Sequence, residues 1–450
     1  MVRTTIISFG LFCSLLATPV HAARSEPHTR SVSASSYTSD LVQLYRESRL
    51  EDPRVLAAYA RAQAGKDYER EALGALLPQV NANSSRNRIT RDTKISRDSY
   101  DTELYSLSLT QHLYNKPVWE KYQKSKSLAL QAESEGEDAQ AEAAVDLAER
   151  YFVALAADDE LELVMAERRT TQKNLDRINA LYTRKMAMVT DVLELKARVD
   201  MLAASEIEAR NQVRIAREAL SEIVGRSVTE KLSRVREDVA LMAPSEALDS
   251  WLDKALVANP ALAARKDALD AAEAAVREGW GGHYPSLSLN LSAQRTDQGF
   301  QNTQSAKADS YVANLGVQVP IYSGGSTSAR VRALNNERFA AEQDLEMLRR
   351  QVIRETTSSY LTAQSGAEKI RASFKALESA KQSSVASQKG FQYGVVNAVD
   401  VLTSVQKEFE ARRDLLKAQY DFVNNLLVLN RWAGSLSEES IESVNIWLVR

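Results

Sequence analysis

Two stretches of this sequence set an acid in the same surroundings, Asp191-Val192-Leu193 and Asp400-Val401-Leu402. A lone carboxylate before an apolar pair suits the first turn of a helix, where the N-terminal dipole stabilises it. Little else in the chain could do chemistry. The single cysteine, Cys13, sits near the N-terminus. A disulfide framework, a thiolate zinc site and a catalytic thiol in the body are therefore excluded. The four histidines, His21, His28, His112 and His283, do not cluster and form no HExxH pair. A histidine metal site is not expected, and His112 and His283 fit strand-end or surface roles. No nucleophile–base–orienter set stands out, so the chain does not read as an enzyme, and no cofactor or metal is implied.

The 57 Lys+Arg nearly balance the 60 Asp+Glu, which argues against nucleic acid as a partner and against an acidic tail. Apolar residues at 44% are too many for wholesale disorder. With only 16 Gly and 9 Pro, long uninterrupted elements are expected. Residues 1–22 begin with Arg3, continue through a mostly apolar run from Ile6 to Ala17, and end Val20-His21-Ala22. That is a secretory signal peptide, cleaved after about Ala22 and too short in its apolar run for a membrane anchor. Phe12 before Cys13 disfavours a lipidated cysteine. The mature chain has no run long enough for a transmembrane helix. It is exported, either soluble or set into an outer membrane through strands whose individual signal is weak.

The chain repeats itself. Asp52-Pro53 recurs as Asn259-Pro260, Leu77-Pro78 as Tyr284-Pro285, Leu107 and Tyr114 as Leu315 and Tyr322, Tyr151 as Tyr360, and Gly225 as Gly434, all at offsets of 207 to 209 residues. The two acidic tripeptides fall in the same series. A tandem duplication spans 39–227 and 246–436, with a linker at 228–245 and a tail at 437–450.

Each half opens with an Ala-rich helical stretch, 40–76 or 246–280. Two alternating segments around a polar loop follow. Leu287, Leu289 and Leu291 alternate with Ser286, Ser288 and Asn290, and Tyr311, Ala313, Leu315, Val317, Val319 and Ile321 share one face. That period of two marks strands. In the first half Tyr105, Leu107, Leu109 and Leu113 do the same, interrupted by Gln111, and the partner around Val80 and Ala82 is weaker. The polar loops are 86–101, with Arg86, Arg88, Arg91, Lys94 and Arg97, and 294–310. Beyond the strands, good helix formers dominate and proline disappears. The pattern predicts helices over 117–184, 190–224, 326–391 and 398–433, paired across tight turns. A helix of that first length is roughly 100 Å long, more than an ordinary globular domain needs.

Four strands per chain cannot close a barrel, and lipid forbids open edges. The strands must then be pooled between chains, and three chains would supply twelve. Tyr100, Tyr105, Tyr114, Tyr284, Tyr311 and Tyr322 lie near strand ends, where interfacial aromatics belong. The helices, laid side by side as coiled coils, would form a wall with an aqueous side.

Particular stretches carry a family resemblance: LLPQV at 76–80, HYPSLSLN at 283–290, LSLTQHLYNKPVW at 107–119, VQVPIYSGG at 317–325 and FQYGVVNAVDVLTSVQ at 391–406. On these the chain resembles the TolC family of outer-membrane export channels over nearly all of its mature length. The resemblance implies a mainly α fold with β: long coiled-coil helices forming an α-helical barrel, plus four strands per chain in a trimeric twelve-stranded transmembrane β-barrel. It implies a homotrimer in the outer membrane that extends into the periplasm. There it would meet a periplasmic adaptor (membrane fusion) protein and an inner-membrane transporter, either ABC-type or proton-driven. Substrate, a secreted polypeptide or a toxic small molecule, would pass without entering the periplasm. The absence of a GxxxxGK[ST] loop agrees that energy comes from a partner.

The resemblance also assigns residues. Asp400 matches the aspartate lining the periplasmic entrance, where three copies would make a cation-attracting ring. Thr403 stands where a second acid is often found, which implies a weaker cation site. Asp191 is placed in the closing contacts of the gate, but the expected basic partner falls at Val396. Closure would then use Arg184 or Lys185, or packing alone. Gly394 is the tip glycine of the adaptor-docking turn, and Lys185 its counterpart in the first half. The competing reading of the whole is a periplasmic coiled-coil scaffold without a pore.

Overall fold

The computed structural model describes residues 39–95, 97–236, 241–300, 303–304 and 307–448. The signal peptide expected over 1–22 lies outside them. The first half runs α1 (Leu41–Glu51), α2 (Pro53–Gly74), β1 (Gln79–Asp92), β2 (Arg97–Tyr114), α3 (Lys116–Thr183) and α4 (Val189–Val224). The second runs α5 (Leu248–Ala258), α6 (Pro260–Gly281), β3 (Ser286–Phe300), the short β4 (Thr303–Gln304), β5 (Ala308–Gln318), α7 (Ser326–Gln392) and α8 (Ala398–Trp432), followed by α9 (Glu438–Asn445). The four long helices end within a residue or so of where the sequence pattern predicts.

Two expectations change. The stretches read as single helices over 40–76 and 246–280 are each broken in two, at Asp52-Pro53 and Asn259-Pro260. A residue before proline is pushed out of the helical region, while the proline suits a first helical position. Asp52 accepts from the Arg54 amide at 2.8 Å and Asn259 from the Leu262 amide at 3.1 Å, so each becomes a cap. The polar loops expected over 86–101 and 294–310 are mostly strand. β1 and β2 stay paired from Gln79↔Thr110 to Asp92↔Arg97, and β3 and β5 from Ser286↔Gln318 to Thr296↔Ala308. Cross-strand ion pairs, among them Arg295–Asp309 at 2.7 Å, replace apolar contacts there.

Along its length α3 packs first on α2 and then on α4, and α7 on α6 and then on α8. A 22-residue helix and a helix of 36 or 35 residues thus stack end to end beside one of 68 or 67. The joints need glycine. A Cβ on Gly225 (φ +76°) would stand 3.1 Å from Glu51, and one on Gly434 (φ +66°) would collide with the Ala258 carbonyl oxygen. The main core lies beside these joints and buries Leu44, Leu147, Tyr151, Leu155, Leu220 and Phe422. The 228–236 segment and the tail clasp it through bridges Ser39↔Leu232 and Val235↔Leu448, and the Tyr151 hydroxyl donates to the Ser233 carbonyl at 2.7 Å.

The long strands form one antiparallel sheet in the order β1-β2-β3-β5, with β4 paired to the far end of β3. No helix among the described residues is long and apolar enough to cross a membrane.

Candidate functional site

The sheet register sorts side chains into two faces with period two. One face carries the cross-strand rows Ala82–Leu107–Ala293–Tyr311 and Val80–Leu109–Leu291–Ala313, then Leu289 beside Leu315 and Leu287 beside Val317. The other carries Asn81–Ser108–Ser292–Val312 and Gln79–Thr110–Asn290–Asn314, with Ser288 beside Gly316. An apolar face and a Ser/Asn face on one sheet is the pattern of a wall between lipid and water. From Tyr311 to the end of β5 at Gln318 is seven residues, about 23 Å of strand, or about 18 Å of vertical rise at a 40° tilt. That is most of the roughly 25 Å apolar band of an outer-membrane barrel. Trp119, Trp280, Tyr284 and Tyr322 are exposed just below it, near the helix ends, as interfacial anchors are.

Gln111, which interrupts the alternation of β2, is explained locally. Its amide nitrogen donates to the Leu76 carbonyl at 2.7 Å and the His112 carbonyl at 3.1 Å, tying the sheet base to the end of α2. Among the described residues β1 and β5 each pair on one side only, so both edges present unpaired backbone groups.

At the other end lie two helix turns, brought together by a small core of Leu175, Ile178, Leu195, Val199, Ala398 and Leu402 from α3, α4 and α8. The turns are conformational twins. Lys185 (φ +62°) and Gly394 (φ +75°) both adopt the left-handed region. Met186 donates to Leu181 and Val395 to Gly390, each at 2.9 Å, in the same closing bond. A lysine therefore performs the turn that glycine performs in the second half. Asp191 accepts from the Met188 amide at 3.4 Å, a helix-start role. At the second turn Asn397 takes the capping role, accepting from the Asp400 amide at 2.8 Å. The Asp400 carboxylate is left exposed and without an ion pair among the described residues. Thr403 donates its hydroxyl to the Val399 carbonyl at 3.0 Å, on the same exposed turn. Val396 packs against Gly390, where a Cβ would come within 2.7 Å of it, and joins Val401, Val405 and Phe409. Neither Arg184 nor Lys185 forms an ion pair among the described residues.

A third feature escaped the sequence. The seam where the two repeats meet is laced by carboxylates of α3. Arg198 of α4 reaches Glu167 at 2.5 Å, and its guanidinium also meets the Gln406 amide oxygen at 3.0 Å when that amide is turned toward it. Arg413 binds Glu160 at 2.5 Å. Tyr420 donates to Asp159, which Arg234 also contacts at 3.0 Å. Burial pushes the Asp159 carboxyl up, against the pull of Tyr420 and Arg234. Burial, with Asp159 beside it, raises the Tyr420 hydroxyl. A cavity of about 360 Å³ opens beside these groups between α3 and α8. The partners are up to 261 residues apart, so no local spacing announces them.

The model of the family described as outer membrane efflux protein matches this chain twice, over residues 44–226 and 251–435. Outer membrane protein TolC of Vibrio cholerae is 27% identical over 421 residues, which cover 93% of this chain and 96% of that protein. The alkaline protease secretion protein AprF of Pseudomonas aeruginosa is 29% identical over 421 residues, covering 91% and 87%. Among solved structures, the outer membrane protein VceC of Vibrio cholerae superposes with a TM-score of 0.76 at 16% identity, covering 88% of this chain and 96% of that one.

Proposed function

The chain belongs to the outer membrane efflux protein family, and from that premise we propose that three copies close one twelve-stranded barrel in the outer membrane and continue as a helical duct into the periplasm. The protein is an outer-membrane channel of an export system, in the company of TolC and of a protein named for protease secretion. The observation that carries the trimer is the sheet itself. It has a lipid-type face, a water-type face and two unpaired edges, and only further strands can satisfy those edges in lipid. Residues 39–227 and 246–436 act as two repeats of one wall unit, joined by 228–245.

The helix turns form the periplasmic end. Asp400, exposed and without an ion pair among the described residues, is the group that gives the entrance its affinity for cations, and Thr403 beside it lends only a hydroxyl. Asp191 holds its own helix start. Closure rests on packing of Val396 and its apolar neighbours, because among the described residues no basic group of the two turns bridges them within one chain. The Gly394 and Lys185 turns meet the periplasmic adaptor, whose inner-membrane transporter, ABC or proton-driven, supplies energy and chooses between polypeptide and small-molecule cargo. The duct itself performs no catalysis.

The test joins assembly and entrance. Cys13 falls in the expected signal peptide, so cysteines placed in β1 and β5 are the only thiols of the mature protein. Oxidation should yield covalent trimers, whereas a soluble monomer would refute the barrel. In planar bilayers, divalent or trivalent cations added from the periplasmic side should block the channel. Asp400→Ala should relieve that block, and unchanged block would remove Asp400 from the entrance.

A further inference from the structure

Above the apolar band the same outward face becomes charged. The register puts Arg295 and Asp309 beside Tyr105, one row beyond Ala82–Leu107–Ala293–Tyr311. The next rows bring Arg86–Glu103–Asp297 and Arg88–Asp101. The cations here differ in how firmly they are held. Arg295 grips Asp309 through two bonds of 2.7 and 2.9 Å, and Lys307 meets Asp297 at 3.4 Å. Arg86 and Arg88, neighbours on one face of edge strand β1, are held more loosely than Arg295. Arg86 stands 3.3 Å from Asp101 and 3.6 Å from Glu103, with its side chain 70% exposed in the single chain. Among the described residues Arg88 reaches only the Ser99 hydroxyl, at 3.5 Å, and no carboxylate.

We propose that Arg86 and Arg88 seat the phosphate monoesters of outer-leaflet lipid headgroups, a lipid-binding surface on the outer wall of the barrel. This rests on the barrel reading above. Arg86 lies four residues beyond Ala82, about 10 Å higher at a 40° tilt, and Arg88 about 15 Å higher. Arginine stems can lean several ångström back toward the apolar surface, which brings both heads into the headgroup layer. Their spacing along the strand, about 7 Å, presents two planar forks to one doubly phosphorylated headgroup. Each fork matches a phosphate bidentately. Asp101 and Glu103 meet Arg86 at 3.3 and 3.6 Å, longer than the 2.7 Å of Arg295–Asp309, so a phosphate has weaker contacts to displace there. Tyr105 and Tyr311, at the top of the apolar band, mark the boundary the headgroups would rest on.

The test uses the full detergent-purified assembly and diphosphorylated lipid A, measured by native mass spectrometry. Wild type should retain the lipid. Arg86→Gln/Arg88→Gln should bind it about a hundredfold more weakly, at about tenfold for each guanidinium–phosphate pair removed, and Arg86→Lys/Arg88→Lys should fall between. Equal retention by all three overturns the proposal, as does equal retention of the dephosphorylated lipid. If inorganic phosphate competes as well as the lipid, the site holds an adventitious ion only, and the proposal falls. The lysine variant keeps the charge, so its result stands if the glutamine variant fails to assemble. A wild-type protein that forms no membrane-inserted oligomer instead refutes the barrel itself, and the same spectra report that separately.

Discussion

The assignment of sheet faces can be broken by a single residue. Leu291 sits in the row Val80–Leu109–Leu291–Ala313, inside the apolar band, and Asn290 precedes it on the opposite face beside Thr110 and Asn314. An arginine on the lipid face near mid-membrane costs about 2–4 kcal/mol, and less toward either interface. Three copies per barrel raise that to about 6–12 kcal/mol, which rivals the whole stability of many folded domains. The same arginine at Asn290 faces water and should cost under about 1 kcal/mol, within the range of ordinary surface changes. Folding into lipid vesicles from urea separates the two. Leu291→Arg should shift the folding midpoint strongly or abolish insertion, while Asn290→Arg should fold close to wild type with altered ion selectivity. Equal behaviour of the two variants, or failure of Asn290→Arg alone, would refute the face assignment and with it the orientation of the barrel wall.

Other consequences follow from the helices. Glu167 is 3% exposed and depends on Arg198, so Arg198→Met should destabilise by about 3 kcal/mol by stranding a buried carboxylate. Adding Glu167→Met should recover much of that, and thermal unfolding of the pair reads the coupling. Gly434→Ala should lower the melting temperature sharply, because its Cβ would collide with the Ala258 carbonyl oxygen. Gly394→Ala, in open space, should cost only about 1–2 kcal/mol of backbone strain. Arg168 and Arg210 hold the Glu206 carboxyl below its ordinary value of 4.5. The native state therefore releases that proton more readily than the unfolded chain, and the stability so gained is lost as pH falls below 4.5 through the depressed value. Glu206→Gln should flatten that part of a melting-temperature profile against pH.

Much of the wall was legible because it obeys local periods. The four long helices, the duplication and the face alternation of Leu287–Leu291 and Tyr311–Val317 follow from spacing alone. The upper halves of the strands did not announce themselves. Arg86, Arg88, Arg295 and Asp309 look like loop residues until the cross-strand partner is known, since their stabilisation is electrostatic and non-local. The breaks at Asp52 and Asn259 were present as X-Pro pairs, yet the strong helical pattern on both sides masked them. At the helix turns, Asp191 and Asp400 stand at equivalent helix starts, as their repeat implied. Their environments diverge through one neighbour: Asn397 takes over capping in the second turn and leaves Asp400 outward, whereas Met188 offers only its backbone in the first. The seam of α3 with α8 was invisible for the simplest reason, that its partners meet only in the folded chain.

The central claim is that copies of this chain enclose a continuous aqueous passage through a membrane. Single-channel recording of the purified protein in planar lipid bilayers tests it most directly. Discrete, uniform conductance steps are predicted. A membrane-inserted, intact trimer that conducts no ions, even when the tips are loosened by disrupting the packing of Val396, would contradict it and favour a scaffold without a pore.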